Sequence, residues 1–128
     1  MGNHCHTVHL SGHDESARIT RSCHTGFATW LNASQLREGR VMRCRPTIKQ
    51  ASDTSGIARL IAYVHNNPAK INPGTVARDS DWTSHRAYLG LISAPSWINV
   101  DLGLTLAGFE PTSDGRARFD EYTTLRLS

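Results

Sequence analysis

An apolar stripe at helical spacing in the middle of the chain constrains the fold more than any other feature. The stripe consists of Ile57, Leu60, Ile61 and Val64. These intervals of three and four residues place side chains on one face of an α-helix. Asp53 to Ser55 supply candidates for its N-terminal cap, and Pro68 ends it. We therefore predict a helix over about residues 55–66 that buries this face.

Weaker patterns predict the remaining elements. Residues 15–31 carry a second stripe, formed by Cys23, Phe27, Trp30 and Leu31. Residues 4–10 and 47–49 read as short strands, residues 82–90 as a short helix or turn, and residues 114–126 as a last helix. We expect an α+β fold, in which a small antiparallel sheet is backed by the 15–31 and 55–66 helices and followed by a mostly helical tail.

Length and composition indicate a single intracellular domain. The chain has 128 residues, the size of one ordinary domain. Its three cysteines are an odd number and widely spaced, which is typical of reduced thiols rather than of a secreted disulfide framework. No apolar run of about 18 residues predicts a membrane span, and the polar first residues do not read as a signal peptide. We expect a cytoplasmic protein, associated with the nucleoid.

The triplet His4-Cys5-His6 is the first candidate for chemistry. In an extended strand, side chains alternate between faces, so His4 and His6 would point the same way and Cys5 the opposite way. Two neutral imidazoles on one side of a strand make two thirds of a divalent-metal site. By the same alternation His9 would face away from this pair, so we interpret it as a surface or structural residue.

Basic charge is concentrated in the N-terminal part of the chain. Residues 1–78 hold ten Lys or Arg and four Asp or Glu, whereas residues 79–128 hold four and seven. Arginine accounts for 12 of the 14 basic residues, and its guanidinium can donate two parallel hydrogen bonds to one phosphate. The densest basic stretch, residues 37–45, together with two lysines predicts a positively charged strip that binds the phosphates of a nucleic-acid backbone. Its candidates are Arg37, Arg40, Arg43, Arg45, Lys49 and Lys70.

Tyr63 lies on the flank of the 55–66 stripe, and Asn67 follows it by one helical turn. A tyrosine at the edge of a buried stripe usually packs there and keeps its hydroxyl in water. To act as a nucleophile it needs help, which a metal ion that polarises the target phosphate supplies. We interpret Trp30, Trp82 and Trp97 as core anchors and His85 as a packing residue. His65 lies on the same helix but well around from Asn67, so we leave it out of the metal set.

Several segments together resemble a known family. His4-Cys5-His6 resembles the histidine–hydrophobe–histidine motif of the single-tyrosine "HUH" transposases. Tyr63-Val64-His65-Asn66-Asn67-Pro68-Ala69-Lys70 resembles their tyrosine helix. Asp81 to Gly90 and Pro95 to Ile98 resemble the two blocks that follow it. The order and spacing agree to about residue 110, and the chain is most similar to the insertion-sequence-200-like transposases associated with repetitive extragenic palindromic hairpins.

The resemblance implies a DNA strand transferase. It implies that His4, His6 and Asn67 hold one Mg²⁺ or Mn²⁺ ion, and that Tyr63 attacks a backbone phosphate of single-stranded DNA beside a hairpin. A 5′-phosphotyrosine link and a free 3′ hydroxyl would result, and reversal with another 3′ hydroxyl would reseal the strand. It also implies a homodimer in which the tyrosine helix serves its own or the partner's histidines.

The chain departs from the family at its N-terminus. Family members have a strand–helix–strand unit before the histidine strand, which has no counterpart here, so we expect an N-terminally truncated member. We expect one transposase-like domain over residues 1–128, with a partial catalytic core over 1–72 and a C-terminal extension over 73–128. Without its sheet neighbours the histidine strand would become an edge, and activity could be lost.

Two other functions remain open from the sequence. One is a catalytically inactive DNA- or RNA-binding remnant that uses only the arginine strip. The other is a small zinc module built from His4, His6, His9 and either Cys23 or Cys44. Its spacing matches none of the paired Cys or His patterns of zinc domains, so we rank it last.

Overall fold

The described part of the chain is helical. A computed structural model describes residues 4–12, 16–42 and 46–127. Within these ranges it contains six α-helices and one short 3₁₀ helix, which spans Ala77–Asp79. The α-helices are α1 (Ser16–Ser34), α2 (Thr54–His65), α3 (Asn67–Ile71), α4 (His85–Tyr88), α5 (Val100–Leu106) and α6 (Ser113–Leu125). None of them combines the length and the apolar character that crossing a lipid bilayer requires.

The expected α+β fold with a small antiparallel sheet is wrong. Residues 4–10 and 47–49, which we predicted as strands, are irregular, and the described ranges contain no strand. A strand is stable only when a neighbour satisfies its backbone N–H and C=O groups. Most side chains between His4 and Leu10 are exposed. The segment therefore buries no apolar face against which a second strand could pack.

Two compact units divide the chain. One is the continuous segment His9–Gln50, and the other comprises the chain up to Val8 together with the chain from Ala51 onward. In the His9–Gln50 unit, α1 confirms the predicted helix and continues three residues beyond residue 31. The chain then turns through Leu36, whose φ of 48° lies in the left-handed region. None of the α1 side chains is buried.

The predicted central helix is confirmed as α2. Asp53 caps it, since its carboxylate accepts a hydrogen bond from the Gly56 backbone N–H at 2.9 Å. The helix ends at His65, and Pro68 lies in the first turn of α3, where its missing N–H costs no hydrogen bond. The buried face is shifted from the predicted stripe: Ile61 is buried, but its buried neighbours are Ala58, Ala62 and His65.

The core of this unit is small and closes around aromatic rings. Its buried members come from α2, α4, α5 and α6 and from the residue that follows α5. They are Ala58, Ile61, Ala87, Tyr88, Val100, Leu104, Ala107 and Phe119. The rings of Tyr88 and Phe109 lie 5.5 Å and 5.3 Å from the ring of Phe119. Alanines on α2 and α4 let the helices approach closely around these rings.

All three tryptophans were predicted to be core anchors, and that prediction is wrong. The exposed fractions are 62% for Trp30, 78% for Trp82 and 81% for Trp97. Trp82 lies in a turn and Trp97 in an irregular connection before α5. The core is filled by Phe119, Tyr88 and Leu104, and Trp82 and Trp97, which lie outside the helices, do not take part in it.

A chain of polar groups crosses the interior beside this core. His65 and His85 approach through their Nδ1 atoms at 3.0 Å, and Nε2 of His85 lies 2.9 Å from the Asp120 carboxylate. Arg78 pairs with the other oxygen of that carboxylate at 3.0 Å. Since a carboxylate only accepts, His85 carries its proton on Nε2 and accepts at Nδ1, where His65 donates. His85, which we predicted to pack, is buried here, and His65 is buried beside it.

Burial keeps both rings neutral. It lowers the pKa of His65 to about 3, and the proximity of His85 adds to this effect. Burial also lowers the pKa of His85, although the hydrogen bond and negative charge of Asp120 act in the opposite direction. Both rings bind protons more readily in the unfolded chain, where an ordinary pKa of about 6.5 applies.

We therefore expect acid to destabilise this unit. For His65 the unfolded state binds more protons between pH 6.5 and about 3, so the free energy of unfolding falls as the pH is lowered through this window. One such group contributes a slope of about 1.4 kcal/mol per pH unit. Urea unfolding at several pH values measures it. His65→Gln should flatten the slope, whereas His24→Gln, a change in α1, should leave it unchanged; equal slopes in all three proteins would contradict this assignment.

Two leucines of α5 offer a matched test of the core. Leu104 is fully buried and Leu102 is 38% exposed, and both lie on the same helix. Leu104→Ala should lower the free energy of unfolding by about 2–5 kcal/mol because it leaves a cavity. Leu102→Ala should cost about 1 kcal/mol or less, since less apolar area is lost. Denaturant unfolding measures both, and equal losses would mean that Leu104 is not at the centre of the core.

Candidate functional site

Four of the predicted site residues meet in one place. The rings of His4 and His6 lie edge to face with centroids 5.0 Å apart, and the ring of His6 lies edge to face with that of Tyr63 at 5.5 Å. The ammonium of Lys70 lies 4.1 Å from the centroid of the Tyr63 ring. We call these four residues the histidine–tyrosine cluster. All of them belong to the same compact unit.

The end of α2 and the start of α3 build one side of the cluster. Tyr63 lies in the last turn of α2 and is 46% exposed, so its phenol is open to solvent. α3 begins two residues after α2 ends, and Lys70 lies in its last turn. Asn66 between the two helices has right-handed helical dihedrals, and the spacing of seven residues places Tyr63 and Lys70 on one side of this backbone, with Lys70 over the Tyr63 ring. Cation–π attraction stabilises this contact.

The irregular segment before α1 supplies the other side of the cluster. His4 is exposed and His6 is half-buried. The pKa of His6 is lowered from 6.5 because partial burial disfavours the charged ring and because His4 and Lys70 add positive charge nearby. His6 is therefore neutral at pH 7, the form in which an imidazole binds a metal ion.

The histidine pair alone does not make a metal site. The described residues contain no group of three or more His, Cys, Asp or Glu side chains that could hold an ion. An ion at His4 and His6 would have to take its remaining ligands from oxygen atoms of water, an amide or a phosphate, the ligands that Mn²⁺ and Mg²⁺ prefer. The zinc module is not supported, because it needs such a group; Cys44 lies outside the described residues.

Asn67, the expected third ligand, is buried in the first turn of α3. It is 6% exposed, and its Nδ2 atom has no hydrogen-bond partner among the described residues. A buried amide without a partner is costly and calls for an explanation. Asn67 follows Tyr63 by four residues, yet Tyr63 is open to solvent and Asn67 is buried.

The predicted DNA contacts are distributed over both units. Arg37 and Arg40 are exposed in the connection after α1, and Lys49 is exposed in an irregular segment. Lys70 belongs to the histidine–tyrosine cluster. Arg43 and Arg45 lie outside the described residues. The sequence predicted Lys70 as a DNA contact, which stays a prediction, and it did not predict the contact of Lys70 with Tyr63.

Comparison with known proteins adds no relative. A scan of protein-family models finds no match to this chain, a search of curated proteins finds none, and neither does a search of solved structures. The resemblance to the single-tyrosine transposases therefore rests on the residues that carry it.

Metal binding provides a direct test of the histidine pair. His4→Ala or His6→Ala should weaken Mn²⁺ binding by about tenfold or more, because loss of a ligand costs at least as much as loss of a residue that only orients one. Electron paramagnetic resonance of free Mn²⁺ during titration measures the change. His9→Ala serves as the control and should bind Mn²⁺ like the parent. Equal affinity in all variants would remove the pair from consideration as a metal site.

Proposed function

We propose that this chain cleaves and rejoins single-stranded DNA through Tyr63, assisted by a divalent metal ion at His4 and His6. The observation that carries the proposal is the edge-to-face contact between the rings of His6 and Tyr63 at 5.5 Å. A nucleophile and a metal-binding pair must be adjacent for this chemistry, and residues that are 57 positions apart in the sequence are adjacent here.

Each residue of the cluster has a distinct role in the proposed reaction. The phenolic oxygen of Tyr63 attacks phosphorus, its proton passes to solvent, and the bond from phosphorus to the 3′ oxygen breaks, leaving a 3′ hydroxyl and a 5′-phosphotyrosine. His4 and His6, with Asn67 as the candidate amide ligand, would hold Mg²⁺ or Mn²⁺, which when bound polarises the target phosphate. Lys70 places a positive charge beside Tyr63, where it attracts the backbone phosphate.

The resemblance supplies the rest of the proposal. The substrate is single-stranded DNA next to a hairpin, Arg37 and Arg40 follow its backbone, and the protein acts in the cytoplasm at the nucleoid as a homodimer.

A second candidate is a DNA-binding protein without turnover. Two observations favour it: the described residues contain no third acidic, histidine or cysteine ligand, and the histidine segment is irregular rather than held in a sheet. A metal site on an irregular segment is positioned less rigidly than one on a strand. In this case the exposed arginines bind DNA while Tyr63 forms no bond to it.

Covalent capture separates the two candidates. Incubated with Mn²⁺ and a hairpin oligonucleotide, the protein should retain the label of a 3′-labelled strand on a denaturing gel, because Tyr63 keeps the 5′ phosphate of the downstream fragment. A 5′-labelled strand should release a shorter fragment with a free 3′ hydroxyl. Tyr63→Phe should abolish the adduct and leave DNA binding largely intact.

Tyr122→Phe is the matched control, since Tyr122 packs against Phe109 beside the core and should not affect the adduct. A shifted band on a native gel without an adduct would favour the binding protein. An adduct that persists in Tyr63→Phe would contradict the role of Tyr63 in either case.

A further inference from the structure

We propose that the exposed ring pair Phe27 and Trp30 on α1 is a stacking surface for unpaired bases of single-stranded nucleic acid. The inference shares its partner with the proposed function but requires none of the Tyr63 chemistry. It rests on the His9–Gln50 unit alone.

The two rings form an open aromatic surface. Phe27 and Trp30 lie three residues apart, on one face of α1, and their ring centroids are 5.9 Å apart with planes inclined by 36°. Phe27 is 45% exposed and Trp30 is 62% exposed. Apolar rings with this much contact with water are costly, which is why contiguous exposed apolar surfaces mark binding sites.

The charge around the rings selects the occupant. α1 contains Arg18 and Arg21 but no Asp or Glu, and over His9–Gln50 the sequence has seven basic and three acidic residues. A positively charged surface attracts an anion, and exposed rings favour an anion that carries flat groups. Single-stranded nucleic acid combines both, and proteins bind it by joining aromatic platforms to cationic side chains.

Hydrogen bonds hold the arginine-bearing turn near the rings. The Asn32 side chain donates from Nδ2 to the Gly39 carbonyl at 2.9 Å, and the Arg37 backbone N–H donates to the Asn32 carbonyl at 3.0 Å. Asn32 follows Trp30 by two residues, which is about 3 Å along the helix axis. The turn that contains Arg37 and Arg40 is therefore tied back to the end of α1 that carries Trp30.

The same helix has room for the strand on its N-terminal side. A cleft of about 290 Å³ is lined by Arg18, Ile19, Ser22 and Cys23. Ile19, Cys23 and Phe27 follow one another at intervals of four residues, so this cleft continues the face that carries the rings. A strand that follows this face would meet Arg18 first, then the rings, and finally Arg37 and Arg40.

Binding of two matched strands tests the proposal. The protein is the full chain carrying Tyr63→Phe, in EDTA, so that no covalent step contributes. The probes are two fluorescently labelled strands. One is a 16-nucleotide oligothymidylate, and the other is an abasic strand of the same length, which has the phosphates but no bases. Trp30→Ala should weaken oligothymidylate binding by about tenfold. Binding of the abasic strand should not change, since the arginines remain.

Trp97→Ala is the matched control, because Trp97 is a more exposed tryptophan in the other unit, on the acidic part of the chain. It should bind both strands like the parent. Phe27→Ala provides a second variant, and it should produce a smaller loss than Trp30→Ala because its ring is smaller. Circular dichroism should show unchanged helix content in each variant, since none of the side chains removed is buried.

Fluorescence adds a readout at the ring itself. In a protein that carries Trp82→Phe and Trp97→Phe, Trp30 is the sole tryptophan, and oligothymidylate but not the abasic strand should quench its emission. Equal binding of oligothymidylate by Trp30→Ala and the parent would overturn the proposal. Loss of binding to anionic phosphatidylserine vesicles, with DNA binding unchanged, would assign the surface to a membrane instead. Neither outcome depends on adduct formation by Tyr63, which tests the proposed reaction separately.

Discussion

The hydrogen bond between His65 and His85 fixes the rotation of α2, and the candidate site depends on that rotation. His65 is held inside by the Nδ1 contact at 3.0 Å, and the chain of polar groups continues through His85 to Asp120 on α6. Positions 63 and 65 differ by about 200° around a helix axis. Burying His65 therefore turns Tyr63 outward, where its phenol is open to solvent and can meet both a histidine ring and a substrate.

Lys70 has a comparable influence on the electrostatics of the site. Tyr63 and Lys70 are seven residues apart, a spacing that places both on one face of helical backbone. The ammonium of Lys70 lies over the Tyr63 ring, and its charge also lowers the pKa of His6. Pro68 lies in the first turn of α3, where its missing N–H costs no hydrogen bond.

The sequence predicts α1, α2 and α6 because their signals are local, whereas it assigned no helix to α3 or α5. The α2 stripe, the Asp53 cap and Pro68 locate α2 to within one residue, and similar patterns locate α1 and α6. The sheet was wrong because alternation in residues 4–10 says nothing about whether a partner strand exists. The exposure of Trp30, Trp82 and Trp97 was missed because side-chain size predicts burial only when the core has room.

The candidate site was predicted only in part, because local motifs select some of its residues but do not show which contacts they make. His4, His6 and Tyr63 were selected from motifs, and the folded chain brings them together even though the described residues form no sheet. Lys70 was predicted as a DNA contact from its charge, and its contact with Tyr63 was missed. The interval of seven residues between them, typical of one helix face, was the signal that could have found it.

The boundary between the two compact units has a consequence for chain topology. His4 and His6 precede the His9–Gln50 unit and Tyr63 follows it. This basic unit is therefore inserted in the sequence between the two halves of the cluster. Bringing His6 to Tyr63 therefore requires closing a loop, and the entropy of closure depends on the logarithm of its length. A direct linker of about ten residues would reduce this entropic penalty by only about 1 kcal/mol. Exchanging, lengthening or deleting the His9–Gln50 unit would therefore change the free energy of forming the histidine–tyrosine cluster only slightly.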